Sequence, residues 1–336
     1  MGPGLTVAVT GPTGDIGRSV VRELEGAEEV ERIVGMARRP FDPAEHGWER
    51  AEYRRGDVLD RSSVDGLVEG ADVVVHLAFV IFGGREETRR VNLEGSRNVF
   101  EATAAAGARR ILYTSSVAAY GFDADRPEPL TEEADAAGSA DFYYSAQKAE
   151  LERLLWSVLD GSRTDAYVFR PCIVAGRDAP AVLEQIFGGV AERLGPLRGV
   201  LRGSVPLLRP ILPSPELPFQ LVHHHDVAVA IRAAAAGRGS PGTYNLAAQD
   251  TLVPADIARE LGWHSVPVPG LAVDAAAEVV SRLPLMPARA AWLNAFRSPV
   301  VMDCAKARRE LGWEPRHDGR ATLRETVEAG RASGLL

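Results

Sequence analysis

Two cysteines in 336 residues, Cys172 and Cys304, lie far apart and without the spacing of metal ligands, so the sequence offers neither a disulfide framework nor a zinc site. No uninterrupted apolar stretch reaches the roughly 18 residues of a membrane span. The start of the chain also lacks a basic segment followed by an apolar run and a cleavage site. Stable membrane insertion and export are therefore not expected, and a reducing cytoplasm suits the thiols. Basic residues form no stripe beyond short arginine pairs, and a formal net charge of −8 argues against nucleic acid as a partner. Internal repeats and low-complexity tails are missing too. What is left is a globular chain of one large or two fused domains, with enough apolar residues for a sizeable core.

Against that background two motifs stand out. An apolar strand, Leu5 to Val9, runs into Thr10-Gly11-Pro12-Thr13-Gly14-Asp15-Ile16-Gly17, and a helical pattern follows through Val20, Val21 and Leu24. Strand, glycine turn and helix start are the context of a dinucleotide fingerprint. Gly11 lets the chain turn, Gly14 lets the backbone approach a pyrophosphate, and Gly17 lets the helix pack on the strand. Phosphates would then meet free backbone amides at the helix start. Far downstream, Tyr144 and Lys148 stand four apart in Tyr-Ser-Ala-Gln-Lys, a spacing that puts both on one helix face. A cation beside a phenol favours the phenolate, which would make Tyr144 a proton donor or acceptor near neutrality.

Strand patterns recur at Arg32 to Ala37, Ala51 to Arg55, Asp72 to Leu77, Arg110 to Thr114 and Ala166 to Phe169, separated by helical or loop sequence. The alternation predicts an α/β fold of Rossmann type, a doubly wound parallel sheet with ligands at the carboxyl ends of its strands. One helix is expected from Arg85 to a stop at Gly107, and another from Tyr144. Beyond Gly176, prolines at 180, 196, 206, 210, 213, 215 and 218 preclude a long regular element and read as a cover over a substrate pocket, with a plain surface connector as the alternative. The chain then re-enters the sheet layer with a strand at Gln220 to Val222, a helix from Asp226 to Ala236 and a strand near Thr243 to Leu246. The expected division is a dinucleotide-binding domain of residues 1–175 and 219–248, and a smaller, discontinuous substrate part of 176–218 and 249–336.

These motifs, with Gly56-Asp57-Val58, His76-Leu77-Ala78, Asn92-Leu93-Glu94-Gly95, Thr114-Ser115-Ser116, Arg170-Pro171, Asp226-Val227-Ala228 and Glu310-Leu311-Gly312-Trp313 in order, make the chain similar to the extended short-chain dehydrogenase/reductase family, also called the NAD-dependent epimerase/dehydratase family. The resemblance implies Ser116 as the catalytic hydroxyl, with Ser115 as the second candidate. It implies Tyr144 as general acid and base, and Lys148 as a hydrogen-bond donor to the nicotinamide ribose. It places Gly11, Thr13, Gly14, Asp15, Ile16 and Gly17 at the pyrophosphate and Asp57 and Val58 beside the adenine. Leu77, Ala78 and Phe79, together with Asn92, Pro171 and Ile173, lie along the rest of the cofactor. Family members often form homodimers through the helix before Gly107 and the helix bearing Tyr144.

At the end of the second strand an NAD-selective site carries a carboxylate for the ribose hydroxyls, whereas a 2′-phosphate needs an arginine and no carboxylate. Ala37 holds the acidic position and Arg38 follows, which favours NADP; NAD or dual use is the alternative. Nucleotide-sugar members commonly place an Asn three residues after the Arg of the sixth strand, and Ile173 stands there. Nor does an Asp-Glu pair follow Ser116, where sugar dehydratases have one. His223, His224 and His225, as successive residues of a strand, alternate faces and cannot converge on one ion; they read as a strand-to-helix junction, and no metal site is expected. The resulting expectation is an NADP-dependent oxidoreductase interconverting a carbonyl and an alcohol on a small, moderately apolar molecule. A nucleotide-sugar epimerase or dehydratase is the alternative, and a non-catalytic dinucleotide sensor is a third reading.

Overall fold

The structure, a computed structural model, describes residues 4–81, 85–122, 128–179, 211–268 and 299–336. Strands β1 (Leu5–Thr10), β2 (Val30–Ala37), β3 (Ala51–Arg55), β4 (Val73–His76), β5 (Arg110–Thr114), β6 (Asp165–Pro171) and β10 (Gly242–Leu246) build one seven-stranded sheet in the order β10-β6-β5-β4-β1-β2-β3. Every pairing in it is parallel. Its central strands are apolar on both faces because both are covered, as a parallel sheet requires. Val7, Ala8, Val9, Val73, Val74 and Val75 are fully buried. Helices α1 (Gly17–Glu25) and α6 (His224–Ala235) pack together on one side, while α2 (Arg61–Val68), α4 (Gly95–Ala106) and α5 (Tyr143–Leu159) pack on the other. The strand order reverses between β1 and β4, so the crevice at their carboxyl ends is where such a sheet takes ligands.

The helix expected from Arg85 to Gly107 is broken in register. It consists of α3 (Arg85–Arg89), a π turn at Arg90–Glu94 and α4, which ends on Gly107 in the left-handed conformation at φ 69°. The wider turn carries Asn92 inward, where it is buried. A second correction concerns Gln220 to Val222. The strand there is β9 (Leu221–His223), and it does not join the main sheet; it pairs in parallel with β7 (Ile173–Ala175). Leu221 lies in a separate apolar cluster with Phe219, Leu252, Leu323 and Val327, so packing outside the main sheet sets the strand's partner. Also outside the main sheet are β8 (Ile211–Ser214), paired in parallel with β11 (His264–Pro267), and the helices α7 (Pro254–Leu261) and α8 (Gly319–Ala332). Most of the proline-rich stretch expected to form a cover, residues 180–210, lies outside the described residues.

The glycine turn is fixed by close approach. Gly11 has φ +72°, and a Cβ there would sit 3.0 Å from the Ala78 amide nitrogen. At Gly17 a Cβ would overlap the Gly11 carbonyl oxygen and come within 2.7 Å of the Pro12 carbonyl carbon. Gly14 differs, because its nearest atom is the Gly11 oxygen at 3.5 Å. We therefore expect Gly17→Ala to destabilise the protein by about 1–3 kcal/mol, the usual cost of overpacking. Gly14→Ala should stay within about 0.5 kcal/mol, as for a position with room. Urea unfolding of the two variants side by side checks the contrast; equal midpoints would contradict it.

Candidate active site

The carboxyl ends of β4, β5 and β6 and the first turns of α5 bring the expected residues together. Ser116 sits just past β5 with φ −165° and caps the short 3-10 turn Val117–Tyr120, its Oγ accepting from the Ala118 amide at 3.2 Å. The same hydroxyl is close enough to the Tyr144 phenol to favour its ionised form. Ser115 points the other way, and its Oγ donates to Glu152 Oε1 at 2.5 Å in the core. Of the two candidate hydroxyls, Ser116 is the one beside the phenol.

Lys148 is buried, its Nζ donating to the Thr114 carbonyl at 2.9 Å and lying 3.8 Å from the Phe79 ring centroid. Its distance to the Tyr144 ring centroid is 5.9 Å. The expected acidification of the phenol by this ammonium is not what the geometry produces. Burial pushes the Tyr144 hydroxyl up to about 12, opposed by the nearby Ser116 hydroxyl. Burial likewise pulls Lys148 down to about 7, opposed by the negative charge of Glu152. Desolvation therefore dominates at both groups and drives each toward its neutral form. A phenol that stays protonated near neutrality is a proton donor in waiting rather than a ready base.

Phe79 meets Tyr144 edge to face at 5.6 Å, and Phe142 lies 5.9 Å from the same ring. The loop carrying Leu77, Ala78 and Phe79 is held by Thr10, whose Oγ1 accepts from the Leu77 and Ala78 amides at 3.2 Å each. Behind it His76 bridges Thr10 Oγ1 and Ser96 Oγ at 2.7 and 2.8 Å. That imidazole is fully buried and held neutral, down at about 3, by desolvation and by Lys148. Asn92, expected on the cofactor side, is spent on the fold. Its amide closes a ring with the Val80 backbone at 2.8 and 2.9 Å and donates to Gln147 Oε1 at 2.8 Å. Pro171 ends β6 and is buried, whereas Ile173, at the start of β7, is partly open.

At the other end of the crevice the start of α1 has no side-chain cap and no acidic residue in its first turn. With the room beside Gly14, it fits an anionic pyrophosphate. Asp57 accepts from the Leu59 amide at 3.0 Å, and buried Val58 fills the space in which Gly95 has no side chain. Past β2, Arg38 and Arg39 are exposed, with no carboxylate at Ala37. Their turn is braced by Tyr53, whose hydroxyl donates to the Ala37 carbonyl at 2.8 Å and to that of Arg39, and by Arg55, which donates to the Arg38 carbonyl at 3.1 Å.

The histidine run is arranged differently from a continuous strand. Only His223 is in β9; His224 and His225 open α6, so their rings come together, with 4.1 Å between the centroids of His223 and His224. Ligand atoms of His223, His224 and Glu325 approach one another, as do those of His225, Asp226 and His317. In the first group both acceptor nitrogens are already used. The His225 amide donates to His223 Nδ1 at 3.2 Å, and the Asp178 amide donates to His224 Nε2 at 3.3 Å. The protonated nitrogens then face Glu325 and Ser19. In the second group Asp226 accepts from the amides of Arg316 and His317 and from His317 Nδ1, at 3.0 to 3.1 Å. The cluster thus ties α6 to the carboxyl-terminal segment.

Sequence reasoning passed over Glu152 and Arg170 as a pair. Arg170 grips Glu152 with two hydrogen bonds, 2.6 and 3.0 Å long, in the core beneath Ser115. A carboxylate among Leu151, Leu155 and Leu159 on the buried face of a helix was the available signal.

Comparison with known proteins agrees with this geometry. Residues 7–247 match the model of the NAD dependent epimerase/dehydratase family. An uncharacterised protein of Sinorhizobium fredii is 26% identical over 98% of this chain and 80% of its own length. Cinnamoyl-CoA reductase 1 of Petunia hybrida is 30% identical over 52% of this chain; the match spans 55% of that enzyme, about half its length. Among solved structures, UDP-glucose 4-epimerase of Thermotoga maritima with UDP-glucose superposes with a TM-score of 0.72 at 19% identity, covering 98% of this chain and 99% of that one. At that identity the likeness speaks for the fold alone. Glycine turn, seven-stranded parallel sheet and family match together make the chain a member of the NAD-dependent epimerase/dehydratase family and an NAD(P)-dependent enzyme of the short-chain dehydrogenase/reductase type.

Proposed function

We propose that the protein is an NADP-dependent oxidoreductase that interconverts a carbonyl and an alcohol on a small, moderately apolar molecule. The observation that carries this reading is the meeting of the Ser116 hydroxyl with the Tyr144 phenol between the rings of Phe79 and Phe142. A substrate carbonyl lying between the two hydroxyls would accept hydrogen bonds from both. The bound dinucleotide supplies or takes the hydride. In reduction, Ser116 stabilises the negative charge developing on the oxygen, and Tyr144 gives it the proton. Lys148 as an ammonium ion offsets the charge left on the phenolate until solvent returns a proton. The aromatic rings exclude water and favour an apolar substituent over a sugar diphosphate, as does Ile173 where nucleotide-sugar members commonly carry Asn.

A nucleotide-sugar epimerase or dehydratase is the second reading, favoured by the superposition on UDP-glucose 4-epimerase along nearly the whole chain. Binding of a UDP-sugar, or NAD retained through purification, would choose it over the first. A sensor without catalysis has no use for the Ser116–Tyr144 pair.

Two outcomes test this reading, and a third tests a proposed assembly. NADPH should bind more tightly than NADH, and Arg38→Ala should weaken NADPH selectively by about 1–3 kcal/mol, the range for a charge-assisted hydrogen bond. Fluorescence titration with both dinucleotides measures it, and equal affinities in the unaltered protein would overturn the choice of NADP. Tyr144→Phe should retain dinucleotide binding while lowering turnover by on the order of 10²–10⁴, the contribution of a positioned proton donor. Full turnover in that variant, with chemistry rate-limiting, would remove the proton-transfer role. Finally, α4 and α5 pack side by side and α5 exposes Trp156 at 41%, so we propose a C2 homodimer through these helices. Light scattering at micromolar concentration should give twice the chain mass of 36.1 kDa, and Trp156→Glu should give the monomer. A monomer without the substitution would refute the proposal.

A further inference from the structure

The three residues at the end of β5 each meet a successive turn of α5. The Thr114 carbonyl accepts from Lys148 and the Ser115 hydroxyl donates to Glu152, while the Ser116 hydroxyl lies beside Tyr144 and favours its ionised form. Tyr144, Lys148 and Glu152 are spaced by four, so they line one face of the helix. Glu152 is 2% exposed and Lys148 is 3% exposed. Two charges at these neighbouring positions lie in a medium where a countercharge is felt strongly. Glu152 cannot swing away, because Arg170 holds both carboxylate oxygens and Ser115 holds one. Arg170 is in turn stacked 4.2 Å from the Tyr120 ring centroid, and the Tyr120 hydroxyl donates to Asn245 Oδ1 at 2.7 Å.

Among the described residues, the other groups facing Lys148 do not supply a negative charge. His76 on β4 is held neutral, and Tyr113 on β5 is pushed well above its ordinary value by burial. Tyr144 is pushed to about 12, and Phe79 offers only its ring face. We propose that Glu152 is a positioning residue for the proton-transfer set: locked by Arg170 and Ser115, its carboxylate is the buried countercharge that keeps Lys148 an ammonium ion. The proposal rests on the reading of Lys148 as the cation beside the reacting phenol. Burial opposes the charge on Lys148, and among the described residues the Glu152 carboxylate favours it. Neutralising Glu152 must therefore make Lys148 give up its proton at lower pH.

The chain helps the test, since Lys148 and Lys306 are its only lysines. In full-length protein labelled with ¹³C-lysine, two Cε signals follow the two amines through a pH titration. Lys306, whose Nζ donates to the Thr243 carbonyl, reports any general disturbance. Glu152→Gln keeps the shape and removes the charge, and should lower the Lys148 midpoint by about one pH unit, the smaller end of the effect of an adjacent opposite charge. Glu152→Asp keeps the charge while loosening the contacts, and should move it much less. Because Glu152→Gln leaves a buried guanidinium short of its partner, the double variant Glu152→Gln/Arg170→Met accompanies it and should shift Lys148 in the same direction. An unmoved Lys148 in a folded charge-removed variant, or a shift in Glu152→Asp as large as in Glu152→Gln, would overturn the proposal. The pH profile of kcat/KM tests the reading beneath it. If the Lys148 signal shifts while the alkaline limb stays in place, the countercharge stands and the part assigned to Lys148 in turnover falls.

Discussion

The chemistry depends on one seam, where the end of β5 meets a single face of α5. A parallel strand that stops in the middle of a sheet leaves its last carbonyl and side chains without a ladder partner on that side, and buried polar groups must find one. Here the helix supplies it. Side chains one turn apart along α5 meet the Thr114 carbonyl, the Ser115 hydroxyl and the Ser116 hydroxyl, while the Thr114 hydroxyl has no partner among the described residues. The same bonds that satisfy the strand end fix the register of the helix against it, and so fix where the phenol stands relative to the Ser116 hydroxyl. A shift of α5 by one residue would put Ser145 or Ala149 at these places and take the α5 partners away from the Thr114 carbonyl and the Ser115 hydroxyl.

That satisfaction comes at the cost of desolvation, and magnitude decides which effect wins. A lone cation next to a phenol in water would lower the phenol's pKa; in this core, burial drives the phenol up to about 12 and the lysine down to about 7. The site is therefore built around a protonated Tyr144 and a lysine whose charge needs help. The Glu152–Arg170 pair is well suited to give it. Two hydrogen bonds and near-complete burial make breaking the pair expensive, since removing one partner strands a charge. The carboxylate can then act on Lys148 without collapsing onto it, because its oxygens are already taken by Arg170 and Ser115.

Much of this was legible in the sequence where function is encoded in local spacing. The run from Gly11 to Gly17 announces a strand-to-helix turn, because its glycines answer to backbone contacts within a few residues. Tyr144 and Lys148 announce a shared helix face for the same reason. Partners distant in the chain were harder to read. The strand at Gln220 to Val222 was visible as a strand, but alternation carries no information on its partner, and the apolar cluster around Phe219 and Leu323 drew it to β7. Asn92 looked like a ligand-facing amide. The π turn at Arg90–Glu94 buries it against Val80 and Gln147, and a change in helical pitch leaves little trace in residue pattern. His223 to His225 were legible as a strand-to-helix junction, and the strand does end at His223 where the helix starts; strand alternation did not show that the rings of His223 and His224 come together.

Composition carried a further clue, visible once the site is known. Of 38 basic residues only Lys148 and Lys306 are lysines, and the rest are arginines. On a surface the two serve alike as solvated charges, but an arginine does not lose its proton in a protein, whereas a buried lysine readily does. Where the chain needs a charge that burial must not remove, as against Glu152, it uses Arg170, held fully protonated in the core. Beside the phenol it uses a lysine, whose proton can be tuned. An arginine at position 148 would keep its charge without Glu152, but its fork of donors could not end in one bond to the Thr114 carbonyl with Phe79 packed 3.8 Å away. The compact amine fits that space, and its marginal charge is the consequence that the Glu152 carboxylate offsets.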